Sequence, residues 1–307
     1  MQLPLFQPIT RGSITWECVI CNGYKMSKEK KSFDSNIIFN VVGMIILVIA
    51  LLVSIIPLLW MVLGSFRTNA EMFSKPLGLP VSFDLSVFRT AWERADFGMA
   101  LKNSVLNCVG TDLIVLFASA TAAFALARIR FPGARAIQNI LSSSLVISGQ
   151  LILIPLFFVL KDIKVYNTLW STIIADAAMD LPICITLFIT FFQEIPYEIE
   201  ESTMIDGCSK WKFFTGFIVP LSKPIVSTVI IFVSLWTWNE YLFALTFLKD
   251  NLARTIPLQL QNFQGRWATE YGLLFAALSI SIVPLIILYI SMQKSFIKGL
   301  TAGAVKM

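Results

Sequence analysis

Long apolar runs separated by short polar joints dominate the chain, and six of them are long enough to cross a bilayer as helices. A hydrocarbon core of roughly 30 Å takes about 20 helical residues, because lipid offers no partner to backbone N–H and C=O groups and a helix satisfies them internally. The runs cover 37–66, 103–127, 137–160, 169–192, 224–248 and 271–293. This pattern predicts an all-α membrane protein of six transmembrane helices with both termini on one side. The joint holding Arg128, Arg130 and Arg135 and the tail holding Lys294, Lys298 and Lys306 carry basic residues and no acid. Positive charge is retained on the inner side, so both termini are expected in the cytoplasm of a cell membrane crossed several times.

The same pattern divides the chain into an N-terminal cytoplasmic segment (1–36), a membrane domain (37–293) and a cytoplasmic tail (294–307). Residues 1–25 are scattered and polar, with Pro4 and Pro8, whereas Met26 opens S-K-E-K-K-S, a compact basic flank for the first helix. Met26 is therefore a candidate true start. The first apolar run is about twice the length of a signal-peptide core and lacks a small-residue cleavage site, so it is expected to stay as an anchor.

Composition then removes whole classes of function. The chain is 56% hydrophobic and 14% charged, and its net charge of +5 comes without a basic tract interleaved with aromatics, so no nucleic acid partner is expected. Histidine is absent, which removes the Ser-His-Asp and Cys-His nucleophile systems and the H-E-x-x-H zinc motif. Of five cysteines only Cys18 and Cys21 form a C-x-x-C pair, without the second ligand pair that a structural zinc needs. The expectation is a non-catalytic chain with no metal or cofactor of its own.

A polar interlude at 193–223 interrupts this membrane pattern. Pro196 suits a helix start, Glu198, Glu200 and Glu201 lie near the positive end of its dipole, and Gly207 suits a left-handed stop, which predicts a short helix over 197–206. Ser209 is placed to cap a second turn with Trp211, Phe213 and Phe214, before Pro220 and Pro224 break the chain. Helices that lie on headgroups are rich in Lys and Arg; this one is acidic, so it is expected to dock on a protein.

The spacing of this loop resembles the signature loop of ABC-importer permeases, E-A-A, three residues, G, nine residues, I-x-L-P. Glu201 precedes Gly207 by six positions and Pro220 follows it by thirteen; Ser202 and Thr203 replace the alanines, and Phe217 and Val219 replace Ile and Leu. The likeness continues through A-L-A-R-I-R-F-P-G at 125–133, W-N-E-Y-L-F-A-L at 238–245 and F-I-K-G-L-T-A-G-A-V-K at 296–306, and is similar to the smaller permease subunit of the maltose-type carbohydrate subfamily. The resemblance implies the fold of a type I importer membrane domain, with a cytoplasmic coupling helix between the fourth and fifth crossings. It implies that Glu198, Glu201, Met204, Asp206, Gly207, Trp211, Phe213 and Pro220 meet a cytoplasmic ATPase. The implied partners are a second homologous permease forming a heterodimer, two ATPase subunits that hold ATP and Mg, and an extracytoplasmic sugar-binding protein. No G-x-x-x-x-G-K-[ST] phosphate cradle occurs in this chain, so ATP hydrolysis falls to the partners. The implied tail reaches between the ATPases.

A sugar path combines aromatic faces with amides or carboxylates. Trp236, Trp238, Asn239, Glu240 and Tyr241 offer that mix in the fifth run, with interfacial anchoring as the competing role for Trp238 and Tyr241. Asp176 and Asp180, four apart and about 40° from one another around a helix, face one side and avoid lipid. Asp112, in the second run, is expected to pair with a polar neighbour or to line the path. The competing class is an ion-coupled secondary transporter of a small polar solute, whose ions would use these same carboxylates.

Overall fold

In the computed structural model, residues 19–265 and 269–304 are described, with side chains from 39 to 265 and from 269 to 294. The sequence expectations for Cys18, for the side chains around Met26 and for Lys298 and Lys306 lie outside the described residues.

Among the described residues the regular structure is helical, apart from one bridge between Gln264 and Thr269. It divides into two units, one ending at Trp60 and one beginning at Met61. The first consists of most of α1 (Val19–Gly64), whose residues from Phe39 to Trp60 are exposed apart from the half-buried Gly43. A helix this apolar and this exposed is suited to lipid contact over that stretch.

The second unit is built around α4 (Phe97–Arg128) and α7 (Leu169–Glu194), which pack together along their lengths. Their meeting faces run in steps of four. On α4 the buried positions are Asn103, Asn107, Thr111, Val115, Ser119 and Ala123; on α7 they are Thr172, Asp176, Asp180, Cys184, Phe188 and Phe192. Residues four apart lie on one helical face, and small side chains let two membrane helices approach closely. A Cβ added at Gly110 would stand 2.8 Å from Ile173 Cδ1, so that glycine sets the approach distance. Next, α11 (Lys223–Asn239) lies against α4 and α14 (Tyr271–Ala304). The third layer is tied in by Trp238, which is buried beside Ala276 and Ala277 and donates its indole N–H to the Ser281 carbonyl at 3.2 Å.

At one end of this bundle, α2 (Asn69–Ser74), α3 (Ser86–Arg94) and α13 (Ile256–Gln259) form a lid of short helices. It is fastened by side chains that satisfy loop backbone. Asn103 Nδ2 donates to the carbonyls of Leu252 and Arg254, and Ser104 Oγ accepts the Ile256 N–H at 2.9 Å. Buried Arg67 donates to the Pro76, Glu71 and Lys75 carbonyls and so closes the end of α2.

Two of the expected straight crossings are broken. The run 137–160 forms α5 (Ala134–Ser144) and α6 (Gly149–Asp162), bent by 108°. Ser143 and Ser144 turn their hydroxyls onto the carbonyls of Asn139 and Leu141, and Val146 and Ile147 close i→i+3 turns, so the helix tightens and ends there. The run 224–248 ends as a helix at Asn239 and resumes in α12 (Leu242–Phe247). Among the described residues, four helices, Phe39–Gly64, Phe97–Arg128, Leu169–Glu194 and Tyr271–Lys294, are each long and apolar enough to cross a membrane. The number reaches six if the α5–α6 pair and the pair Lys210–Leu221 with Lys223–Asn239, bent by 73°, count as one span each.

Candidate functional site

The broken helices open a cavity of about 870 Å³ in the second unit. Asp176 and Asp180 enter it from α7, Trp236, Thr237 and Asn239 from α11, and Glu240 and Tyr241 from the break that follows; Gln150 comes from the start of α6. The break has a local cause. Glu240 folds its carboxylate over the next helix, accepting the Phe243 N–H at Oε1 (2.7 Å) and the Ala244 N–H at Oε2 (3.0 Å). Those donors open α12 and lack partners within it, so a carboxyl side chain that accepts both stabilises the new start at the expense of the old helix.

The intramembrane carboxylates differ in their partners. Asp112 accepts the Ser234 hydroxyl at 2.7 Å. Asp176, buried, accepts Asn107 Nδ2 at 3.1 Å, and Thr172 donates to Asn107 Oδ1 at 2.8 Å, so a relay of three residues spans α4 and α7. Asp180 is also buried, on the same face one turn further along. Tyr241 accepts from the Gln261 side-chain amide, and Asn239 donates to the Leu235 carbonyl at 2.8 Å. Trp236 is 63% exposed at the cavity wall, whereas Trp238 points away into the contact with α14 and is no part of the lining. An aromatic face, amides and carboxylates thus converge on a space wide enough for a sugar-sized solute.

A second candidate site lies at the opposite end of the bundle from the lid, in the loop 193–223. Here α8 (Tyr197–Ile205) starts after Pro196 and carries Glu198 and Glu200 in its first turn. It stops at Gly207, φ +77°, where the Gly207 N–H bonds the Met204 carbonyl and the Cys208 N–H bonds the Thr203 carbonyl. That double closure needs a left-handed residue, which glycine adopts without strain. Ser209 then accepts the Lys212 N–H and caps α9 (Lys210–Phe213). A π-helical turn, Phe214–Ile218, follows, then α10 (Val219–Leu221). The wide turn directs Phe213, Phe214 and Ile218 inward against Phe124, with ring centroids of Phe124 and Phe214 4.9 Å apart.

Burial divides the sequence-derived set for this loop. Glu198, Glu201, Asp206, Gly207, Trp211 and Pro220 are exposed and Met204 is half-buried, while Phe213 is wholly enclosed and anchors the loop to the bundle. Ile205, unmentioned by the sequence reading, is 86% exposed. Arg128 entered that reading through its charge and the segment at 125–133, with no structural role. Its guanidinium donates to the Phe192 and Ile195 carbonyls, lies 3.5 Å from Glu200 and stacks 4.4 Å from the centre of the Tyr197 ring. One buried cation thereby binds the end of α4, the end of α7 and the first turn of α8. The spacing signal that could have found it is the arginine placed to close the C-terminal turn of an apolar run. Among the described residues, no cluster of His, Cys, Asp and Glu is arranged to hold a metal.

Comparison with known proteins places these two sites in context. Residues 114–301 match the family described as the binding-protein-dependent transport system inner membrane component. A probable ABC transporter permease of Bacillus subtilis, YurM, is 36% identical over 250 residues, covering 81% of this chain and 83% of that protein. The trehalose/maltose transport system permease MalG of Thermococcus litoralis is 31% identical over 275 residues, covering 88% and 96%. A chain in the crystal structure of a bacterial ABC transporter involved in import of the acidic polysaccharide alginate superposes with a TM-score of 0.71 at 23% identity, over 85% of this chain and 98% of that one.

Proposed function

The chain belongs to the family of binding-protein-dependent inner-membrane transport components, a non-catalytic multi-pass subunit of the cytoplasmic membrane, and from that premise we propose that it is one of two permeases of an ATP-driven importer for a sugar or oligosaccharide. The relatives with saccharide names, the trehalose/maltose permease among them, support the substrate class. The spacing of Glu201, Gly207 and Pro220 supports the importer-permease reading, and the segments at 125–133, 238–245 and 296–306 support a place close to the maltose-type subunits.

The observation that carries the coupling role is the loop 193–223. It is rigidly fastened from inside by Arg128, Phe213 and the stop at Gly207, yet it presents Glu198, Glu201, Ile205, Asp206 and Trp211 outward. A surface element held this firmly transmits displacement; a tether does not. In this reading α8 seats on a cytoplasmic ATPase, closure of two ATPases on ATP shifts α8, and Arg128 passes the shift to the ends of α4 and α7. The cavity with Asp176, Asp180, Trp236, Asn239, Glu240 and Tyr241 is this chain's share of the sugar path, completed by the second permease. A binding protein on the outer side delivers the sugar, both chain termini lie in the cytoplasm, and the tail extends toward the ATPases.

The test is purification of the tagged chain in mild detergent followed by mass spectrometry of what stays bound. An ATPase and a second permease are the expected companions; the chain alone, carrying solute on an ion gradient, would refute the proposal.

A further inference from the structure

Among the acidic residues that line the 870 Å³ cavity, two have their charge already engaged by the protein. Both oxygens of Glu240 accept backbone N–H groups, and Asp176 accepts the Asn107 amide. Asp180 is different. It is 9% exposed, lies in the cavity wall, and has no hydrogen-bond or ion-pair partner among the described residues. Buried polar groups are normally satisfied, and those left open inside a cavity mark where a ligand supplies the missing bond.

Among the described residues no lysine or arginine lines this cavity, and the chain has no histidine. Three carboxyl groups face it there, with no described cation to balance them.

We infer that Asp180 is the saccharide-recognising carboxylate of this subunit, and that the cavity admits neutral and amine-bearing saccharides while rejecting anionic ones. This rests on the sugar-importer reading and narrows it. A carboxylate accepts two hydrogen bonds at once, from neighbouring hydroxyls or from an ammonium. Trp236, exposed in the cavity wall, offers a face to the C–H side of a ring. A uronate or sulfonate would bring a like charge beside Asp180 with no arginine fork to receive it, and like charges in a site of reduced dielectric repel strongly.

The experiment titrates the full chain, purified with the subunits that stay bound and held in lipid nanodiscs, by calorimetry with three probes of equal size: the diamine glucosamine dimer, neutral cellobiose and anionic digalacturonate. The diamine is expected to bind at least about tenfold more tightly than the digalacturonate, with cellobiose between them. Asp180→Asn, nearly isosteric, is expected to bring the three within about threefold, and co-purification of the ATPase with this variant reports that it has folded. Equal binding of digalacturonate and the diamine to the unaltered protein, or discrimination unchanged by Asp180→Asn, overturns the inference. If the ATPase co-purifies but no probe binds, the inference falls and the importer reading stands; if no ATPase co-purifies, both fall.

Discussion

Arg128 Nη1 lies 3.5 Å from Glu200 Oε2, joining the last turn of α4 to the first turn of α8, and the arginine side chain is entirely enclosed while its partner is nearly so. A surface ion pair contributes little, but this cation also holds two carbonyls at the end of α7 and the Tyr197 ring, so its removal strands several groups at once. Arg128→Ala is expected to cost about 3 kcal/mol of local stability and to release α8, since breaking a buried, multiply bonded charge leaves its partners unsatisfied. Arg128→Lys should rescue it poorly, because one ammonium cannot reproduce the planar fork. Hydrogen exchange across α8 and retention of the bound ATPase check both; protection equal to that of the unaltered protein would refute the latch.

Gly207 holds φ +77° with open space around its Cα. Gly207→Ala should therefore cost about 1 kcal/mol through backbone strain alone, while Gly207→Trp additionally masks the exposed face of the loop. The expected outcome is near-normal membrane assembly for both, with ATP hydrolysis uncoupled from uptake only in the tryptophan variant. Uptake assays alongside ATPase rates decide it.

Gly110 and Ile173 fix how near α4 and α7 come. Gly110→Ala places its new methyl 2.8 Å from Ile173 Cδ1 and is expected to destabilise by about 1–3 kcal/mol. Adding Ile173→Val, which removes that Cδ1, should restore much of the loss. Thermal unfolding of the single and double variants in detergent gives the coupling; strict additivity would refute the close contact.

Trp236 and Trp238 stand two residues apart with opposite surroundings. Trp238→Ala should lower stability by about 3–5 kcal/mol, since it empties a packed site and frees the Ser281 carbonyl. Trp236→Ala should leave unfolding unchanged and reduce sugar uptake. Loss of stability in both variants, or normal uptake in the second, would contradict the assignment of Trp236 to the path.

Much of this architecture was legible along the chain. Apolar runs near 20 residues long have few alternatives in lipid, and the stop at Gly207 and the cap at Ser209 follow from local backbone chemistry, so the short helix before Gly207 was readable from its ends. The breaks inside two of the runs were not. Their polar residues, Ser142 to Ser144 and Asn239 with Glu240, are also compatible with a continuous membrane helix, and the break at Glu240 depends on where its carboxylate finds unpaired N–H groups, three and four residues ahead. Trp238 and Phe213 were grouped with exposed neighbours because sequence proximity carries no record of which side of a helix, or of a π-helical turn, meets another element.

The sequence by itself determined that the chain lives in a membrane, that it lacks the histidine of the Ser-His-Asp, Cys-His and H-E-x-x-H systems, and that its polar loop ends one helix and caps another, because hydropathy, residue inventory and capping act over a few neighbouring positions. The tertiary structure alone decided that Arg128 is a junction and not merely an inside charge, and that Asp180 is left open where Asp176 and Glu240 are engaged. Those distinctions depend on partners 64 or more positions away for Arg128 and 69 positions away for Asp176. Only packing of α4 against α7 brings such groups within hydrogen-bond reach.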